Sequence, residues 1–357
     1  MYNPNGYTKS PLPSSKSPSI MALLSYAPNI LSAYTLCYEE DQRLLRTAVQ
    51  DNEDVVRHIR VLGWMFIFAP NHTMLVDLAK AAISCKGSRD SYDNLGKFFV
   101  DYWIRPFRKY KGRTPCTSGH VSRPSFDTIV ELVKHDLALI RDGFRCLLSG
   151  KYDNATVADT KELRETAMRD ENFGTGKTEC AYIISSSINL EIEKEKKPDY
   201  AWAVLQHLGY GGMFQELNGK GIHKLQNVLT LHSDLHDLFD TLQLWLEPTE
   251  EGNCYKVQGT QPWVLRTLPK VVKFQNLAPL DSDGTQPDLS LPSKDYLALH
   301  AACAKVANLS GVADYLNKLD REYNEGAILA PDGSSVDLVS HALWDALGEM
   351  PRSITVG

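Results

Sequence analysis

Residues 179–187 read ECAYIISSS, and residues 223–240 read HKLQNVLTLHSDLHDLFD. The first stretch has strand patterning over 181–185, and LHSDLHDLF at 231–239 has the spacing of a short helix. A third stretch, RDGFRCLLSG at 141–150, precedes both and is also strand-like over 145–148. Short strands separated by polar segments and followed by a helix predict an α+β unit over residues 141–247.

The flanking regions have different patterns. Residues 1–19 are rich in Pro, Ser and Asn, which predicts a disordered leader. Residues 20–140 have helical spacing, with helices expected at about 39–70, 71–84, 92–104 and 125–140. Residues 248–357 combine strand patterning near 254–257 and 271–274 with helices near 294–308 and 312–323. We therefore expect an α+β fold with a helical N-terminal region, a central unit, and C-terminal strands and helices packed on it.

Charge and cysteine content limit the class of partner. The chain of 357 residues has a net charge of −6 and seven scattered cysteines without a CxxC pair. Phosphate contacts supply most of the affinity for duplex DNA, so an acidic chain argues against a nucleic-acid partner, although a local basic patch is still compatible.

Unpaired cysteines indicate an intracellular protein. Because the longest apolar run, Val61–Ala69, is too short for a bilayer, we expect a soluble protein of the cytoplasm or nucleus without a membrane span.

The central motif resembles the fungal branch of the HNH endonuclease family, whose members fold as a ββα-metal unit. The resemblance extends to TPCTSGHVSRPS at 114–125, LWLEP at 244–248, YLALHAACAKVANLSG at 296–311 and ILAPDGSS at 328–335. In that family an Ala-His-Ile triplet supplies the general base, an asparagine orients it, and a helix histidine binds the metal. Asn227 matches the asparagine and His236 matches the helix histidine, whereas the triplet here is Ala181-Tyr182-Ile183.

Tyrosine at the base position weakens the hydrolytic interpretation. Imidazole accepts a proton near neutral pH, whereas a free phenol is almost fully protonated there. A general base contributes roughly 10²- to 10⁴-fold to a rate, so its loss would cripple a nuclease. Two rescues remain open: a divalent metal such as Mg or Zn held by His236, His232 and Glu179, or Tyr182 acting as the nucleophile. Otherwise Tyr182 is a packing residue.

Three functional hypotheses follow. The first is a metal-dependent HNH DNA endonuclease with an atypical site, and the second is an inactive HNH-fold binding protein. The third, which we favour, is a repurposed enzyme of fungal specialised metabolism that needs no cofactor. It would isomerise or cyclise a small apolar substrate, and pericyclic reactions are included. In it Tyr182, Asn227 and His236 would be the catalytic or orienting groups. An apolar pocket suits such reactions, and we expect it to be lined by aromatic residues: Trp202, Tyr210, Phe214, Phe239 and Trp245.

Overall fold

The computed structural model describes residues 6–47, 53–108, 137–185, 200–280 and 283–324. Five α-helices form the N-terminal region: α1 Pro18–Leu24, α2 Pro28–Thr47, α3 Glu53–Phe68, α4 His72–Ser84 and α5 Arg89–Phe99. A π-helical turn, Val100–Ile104, continues α5 into the short helix α6 Arg105–Phe107. The predicted helix over 125–140 lies mostly outside the described residues.

The helical region is built around α3. Its residues from Ile59 to Phe68 are all buried, and the helix packs against α2 and α5. The next helix, α4, begins where the sequence predicts, because the Asn71 side chain accepts a hydrogen bond from the Met74 N–H at 2.8 Å. The Asn71 amide also donates to the Leu208 carbonyl at 2.9 Å, which connects this cap to the central region.

Residues 6–17 differ from the predicted disordered leader. They pack on the helices, with Leu12 buried and its N–H donating to Asp41 Oδ2 at 2.9 Å. The Ser10 N–H donates to the Leu309 carbonyl at 3.0 Å, and Tyr7 Oη lies 3.3 Å from Glu247. Composition predicted disorder because the segment is poor in apolar residues. The contacts that hold the segment join residues far apart in sequence, so composition does not reveal them. Met1–Asn5 lie outside the description.

The central region has the strand–strand–helix order that the resemblance predicts, but its second strand lies at 228–232, where the sequence predicted none. Strand β3, Thr178–Tyr182, pairs antiparallel with β4, Val228–His232, and helix α11, Ser233–Asp240, follows β4 directly. Before the hairpin lie β1 and β2, which pair in parallel, and two short helices; between β3 and β4 lie two more helices joined by a π-helical turn. These elements are β1 Tyr152–Asp153, α7 Asn154–Asp159, α8 Lys161–Ala167, β2 Thr175–Gly176, α9 Tyr200–Leu205, the turn Gln206–Tyr210 and α10 Gly211–Leu217. The strand predicted near 145–148 is a tight turn instead, in which the Cys146 N–H donates to the Lys151 carbonyl.

A buried ion pair holds β4 in place. The Arg141 guanidinium and the Asp142 carboxylate are 0% exposed and 2.7 Å apart. Arg141 also donates to the carbonyls of Leu225 and Val228, and Asp142 accepts from the Thr230 N–H. One ion pair therefore fixes the backbone on both sides of Asn227.

The C-terminal region covers the central unit. Strands β5 Leu244–Pro248, β6 Cys254–Gly259 and β7 Val271–Lys273 form an antiparallel sheet in that order, with the short helix α12 Pro262–Leu265 beside it. Helix α13, Lys294–Ser310, packs on both α3 and β5, and α14, Val312–Asn324, packs on α13. The α+β architecture with a helical N-terminal region is confirmed. None of the helices in the described ranges combines the length and apolar character that crossing a membrane requires.

Candidate active site

Asn227 joins the two segments that carry the candidate catalytic groups. Its side chain is fully buried and accepts from the Ile184 N–H at 2.8 Å. Its amide donates to the carbonyls of Ile184 and Ile222, each at 2.9 Å. Ile184 lies two residues after Tyr182, and Ile222 lies directly before His223. The asparagine therefore fixes both segments with one set of hydrogen bonds.

Tyr182 forms a short hydrogen bond with His223, a residue that sequence reasoning missed. The Tyr182 Oη and His223 Nδ1 atoms are 2.6 Å apart, with Tyr182 half-buried and His223 buried. His223 ends a 3₁₀ turn, Gly219–His223. That turn needs glycine at 221, because a Cβ there would lie 2.2 Å from the Glu216 carbonyl. An imidazole thus lies beside the Tyr182 phenol.

A second pair, Glu179 and His236, lies between β3 and α11. Glu179 Oε2 is 2.9 Å from His236 Nδ1, and Asp240 Oδ2 is 3.1 Å from His236 Nε2. Lys177 Nζ donates to the other oxygen of Glu179 at 2.6 Å. The Glu179 carboxylate thus lies between the Lys177 ammonium and the His236 ring, and the Asp240 carboxylate lies on the other side of that ring.

The two pairs lie on opposite faces of β3. Side chains alternate along a strand, so positions three apart face opposite ways and are displaced by about 10 Å. Glu179 therefore faces α11 together with Ala181, whereas Tyr182 faces the turn that carries His223. In this arrangement Tyr182 and His236 do not face the same side of β3.

The fit of a metal to these residues depends on the ion. Mg²⁺ holds its ligands at about 2.1 Å in an octahedron, so neighbouring ligands lie about 3 Å apart. The separation of 2.9 Å between Glu179 Oε2 and His236 Nδ1 matches this spacing. A zinc site needs at least three protein ligands. No group of three or more His, Cys, Asp or Glu side chains within the described ranges is arranged to hold a metal ion. The pair would give a divalent ion one imidazole and one carboxylate ligand, and water or phosphate would have to complete the coordination shell.

His232 does not join the Glu179–His236 pair. Its Nδ1 lies 3.8 Å from Asp234, and its ring lies against Gly176, where a Cβ would be only 2.1 Å from Nε2. The residue ends β4 opposite Thr178, one turn before His236 in sequence. Of the three metal ligands considered from sequence, the structure brings together Glu179 and His236.

The aromatic residues predicted to line a pocket differ in burial. Phe239 is fully buried and stacks on His300, with 3.9 Å between ring centroids. Trp245 is fully buried against Tyr7, so neither ring has an open face for a substrate. Both were expected to line a pocket, but aromatic residues on an apolar face equally fill a core. Tyr210 is half-buried, and the side chains of Trp202 and Phe214 lie outside the description.

Glu179 gives a prediction about pH and stability. Burial raises its pKa, but hydrogen bonds and charges from Lys177 and His236 outweigh this and lower the pKa to about 2. A carboxyl whose pKa falls on folding stabilises the protein at pH values above its pKa in the unfolded state. This contribution is lost as the pH falls towards its pKa in the folded state. We expect Glu179→Gln to lower the free energy of unfolding at neutral pH, with the difference from the wild type shrinking below about pH 4.5.

Urea denaturation at a series of pH values measures this effect. Glu162→Gln, at an exposed position on α8, is the control. A difference between Glu179→Gln and the wild type that persists unchanged down to pH 2 would contradict the ion-pair interpretation.

Comparison with known proteins gives one match. A protein-family model described as HNH endonuclease matches residues 146–247, the stretch that contains β3, β4 and α11. No curated protein and no solved structure matches the chain. Residues 146–247 are therefore similar to HNH endonuclease domains, and the order β3, β4, α11 is the ββα order that this similarity predicts.

Proposed function

We propose that this protein is an enzyme in which an HNH domain supports proton transfer by Tyr182 and His223 instead of phosphodiester hydrolysis. The observation that carries the proposal is the 2.6 Å hydrogen bond between the two side chains. The resemblance to the HNH family implies that Tyr182 occupies the position of the base. The separation of this pair from Glu179 and His236 supports the same conclusion. Hydrolysis in this family requires the base and the metal-binding side to act on one phosphate.

The pair has the properties of an acid–base catalyst. The half-buried phenol can give its proton to a substrate, and His223 can replace that proton through Nδ1. In the reverse direction, the phenolate takes a proton from the substrate and His223 carries it. An isomerisation needs both steps, since one proton leaves a substrate atom and another is delivered elsewhere. Asn227 would be the orienting residue.

The substrate we propose is a small organic molecule, and the reaction an isomerisation or cyclisation, with pericyclic reactions included. Such reactions gain much of their rate from holding one substrate conformation and need no cofactor. The resemblance of the motif to fungal HNH proteins supports specialised metabolism as the setting. The net charge of −6 favours this class over a polyanion.

A metal-dependent DNA endonuclease is the second candidate. It is favoured by the family match and by the 2.9 Å approach of Glu179 to His236. These two residues would hold a magnesium-like ion, which when bound would stabilise the charge on the leaving oxygen. Lys177 already donates to Glu179 and would have to move or share that carboxylate.

Plasmid nicking distinguishes the two candidates. The purified protein and its His236→Ala and Tyr182→Phe variants are incubated with supercoiled DNA and magnesium, manganese or zinc. We expect no metal-dependent nicking. Nicking that is abolished by His236→Ala would overturn the proposed function and establish the endonuclease.

Metabolite profiling tests the proposed reaction directly. Isomerisation leaves the mass unchanged, so a host that lacks the gene should accumulate a precursor with the mass of the product and a different retention time. We expect Tyr182→Phe to lower the conversion by about a hundredfold, as loss of an acid–base group does, and His232→Gln to leave it unchanged. If neither nicking nor such an isomer pair is found, both enzymatic functions are rejected and an HNH-fold binding protein remains.

A further inference from the structure

The N-terminal segment contains a repeated triplet. The sequence Lys-Ser-Pro occurs at residues 9–11 and again at residues 16–18, and these two triplets hold every Ser-Pro dipeptide of the chain. Proline has a fixed φ and keeps the residue before it in an extended conformation. Proline-directed protein kinases bind a serine in this conformation, directly before proline. Each triplet therefore has the local chemistry of a substrate for such a kinase.

The first triplet lies at the surface, outside any helix or strand. Residues 10–14 form no regular element, and half-buried Ser10 lies between exposed Lys9 and Pro11. Its hydroxyl group donates to the Thr8 carbonyl at 2.8 Å, in an exposed hydrogen bond. Local opening of an irregular surface segment costs less than opening of a core helix. An enzyme that needs an extended substrate can therefore reach this serine while the rest of the chain stays folded.

The hydroxyl groups of the two serines have different roles. A carbonyl oxygen only accepts, so the hydroxyl proton of Ser10 lies between its Oγ and the Thr8 oxygen. Phosphorylation replaces that proton and leaves two electron-rich oxygens facing each other. In contrast, Ser17 Oγ accepts from the Ile20 N–H at 3.4 Å, and an ester oxygen can still accept. A phosphate is therefore expected to disturb the segment at Ser10 more than at Ser17.

Ser10 also lies at the negative end of a long helix. Its N–H donates at 3.0 Å to the carbonyl of Leu309, in the last turn of the 17-residue α13. The C-terminal end of a helix carries partial negative charge, which repels a phosphate. The adjacent cation, Lys9, already pairs with Glu53 at 3.6 Å. A phosphate on Ser10 would thus weaken the contact between the segment and α13.

We propose that Ser10 is a phosphorylation site for a proline-directed protein kinase, and that the phosphate releases residues 6–17 from the helices. Ser10 Oγ attacks the γ-phosphorus of ATP, the bond between that phosphorus and ADP breaks, and the hydroxyl proton passes to the kinase. Release withdraws Leu12 from Gly63 on α3, against which its side chain packs directly. This modification is independent of the proposed reaction.

Mass spectrometry after incubation of the purified protein with a proline-directed kinase and ATP locates the phosphate. Hydrogen exchange followed by NMR then measures the Leu12 N–H, which donates to Asp41 when the segment is in place. We expect phosphate on Ser10 and a rise of at least about tenfold in the exchange rate at Leu12, because exchange follows local opening. Ser17→Ala, the matched control, should show the same rise on incubation with the kinase, and Ser10→Ala should show none.

Three results would overturn the proposal. The first is a protein without phosphate on Ser10, or with phosphate there only after denaturation. The second is phosphate on Ser10 with unchanged or slower exchange at Leu12, which would mean that Lys9 turns to the phosphate and holds the segment in place. The third is a kinase-dependent rise that persists in Ser10→Ala, which would assign the release to another site. Circular dichroism before and after the reaction verifies that the helices stay folded.

Discussion

Asn227→Ala is expected to lower the free energy of unfolding by about 4 kcal/mol, because each buried group left without a hydrogen bond costs about 1–3 kcal/mol. Three such groups would remain: the Ile184 N–H and the carbonyls of Ile184 and Ile222. The same substitution releases the segments that carry Tyr182 and His223, so their hydrogen bond should also be lost. The conversion proposed above should then fall together with stability.

Chemical denaturation followed by tryptophan fluorescence measures the stability effect. Asn276→Ala is the matched control, since Asn276 also donates to a carbonyl and accepts from an N–H but lies in a half-buried loop. We expect the control to cost less than about 1.5 kcal/mol, in the range of ordinary hydrogen bonds. Equal losses for the two variants would show that Asn227 does not hold the two segments together.

Asp142→Asn is expected to cost about 3–5 kcal/mol, the range for removing one partner of a buried ion pair. The guanidinium of Arg141 is 0% exposed and would keep its charge without a carboxylate. Its hydrogen bonds to the Leu225 and Val228 carbonyls would persist, but they do not neutralise it. The Thr230 N–H would lose its charged acceptor as well.

An exposed pair provides the comparison for Asp142. Asp170 lies 3.2 Å from Arg145, and their side chains are 26% and 37% exposed. Surface pairs contribute about 0–1 kcal/mol, so Asp170→Asn should change the unfolding midpoint little. If Asp142→Asn cost no more than Asp170→Asn, the ion pair would not be what positions β4.

The sequence predicted the parts of the fold that depend on nearby residues. Asn71 caps α4 through a residue three positions away, and Leu231 to Phe239 form the end of β4 and α11 in one continuous stretch. The resemblance to the HNH family rests on the same local pattern, and the family model matches residues 146–247. The catalytic roles of Asn227 and His236 stay predictions.

His223 could not be recognised in the same way. It lies 41 positions from Tyr182, in a GKGIHK turn with no pattern that links it to a strand. Its position four residues before Asn227 was the only available signal. Whether an aromatic residue lines a cleft or fills a core also depends on distant residues, and Phe239 and Trp245 are fully buried. Only long-range packing distinguishes the two.

The segment over residues 6–17 has a consequence for the synthesis of this protein. Its hydrogen-bond partner on α13, the Leu309 carbonyl, leaves the ribosome about three hundred residues after Ser10, and contacts at such separation form slowly. Until then α3 lacks α13, which packs on it in the finished fold, and part of its apolar surface stays open to solvent. Nascent chains should therefore depend on chaperones until α13 is made, and shortened transcripts that end before it should yield aggregates.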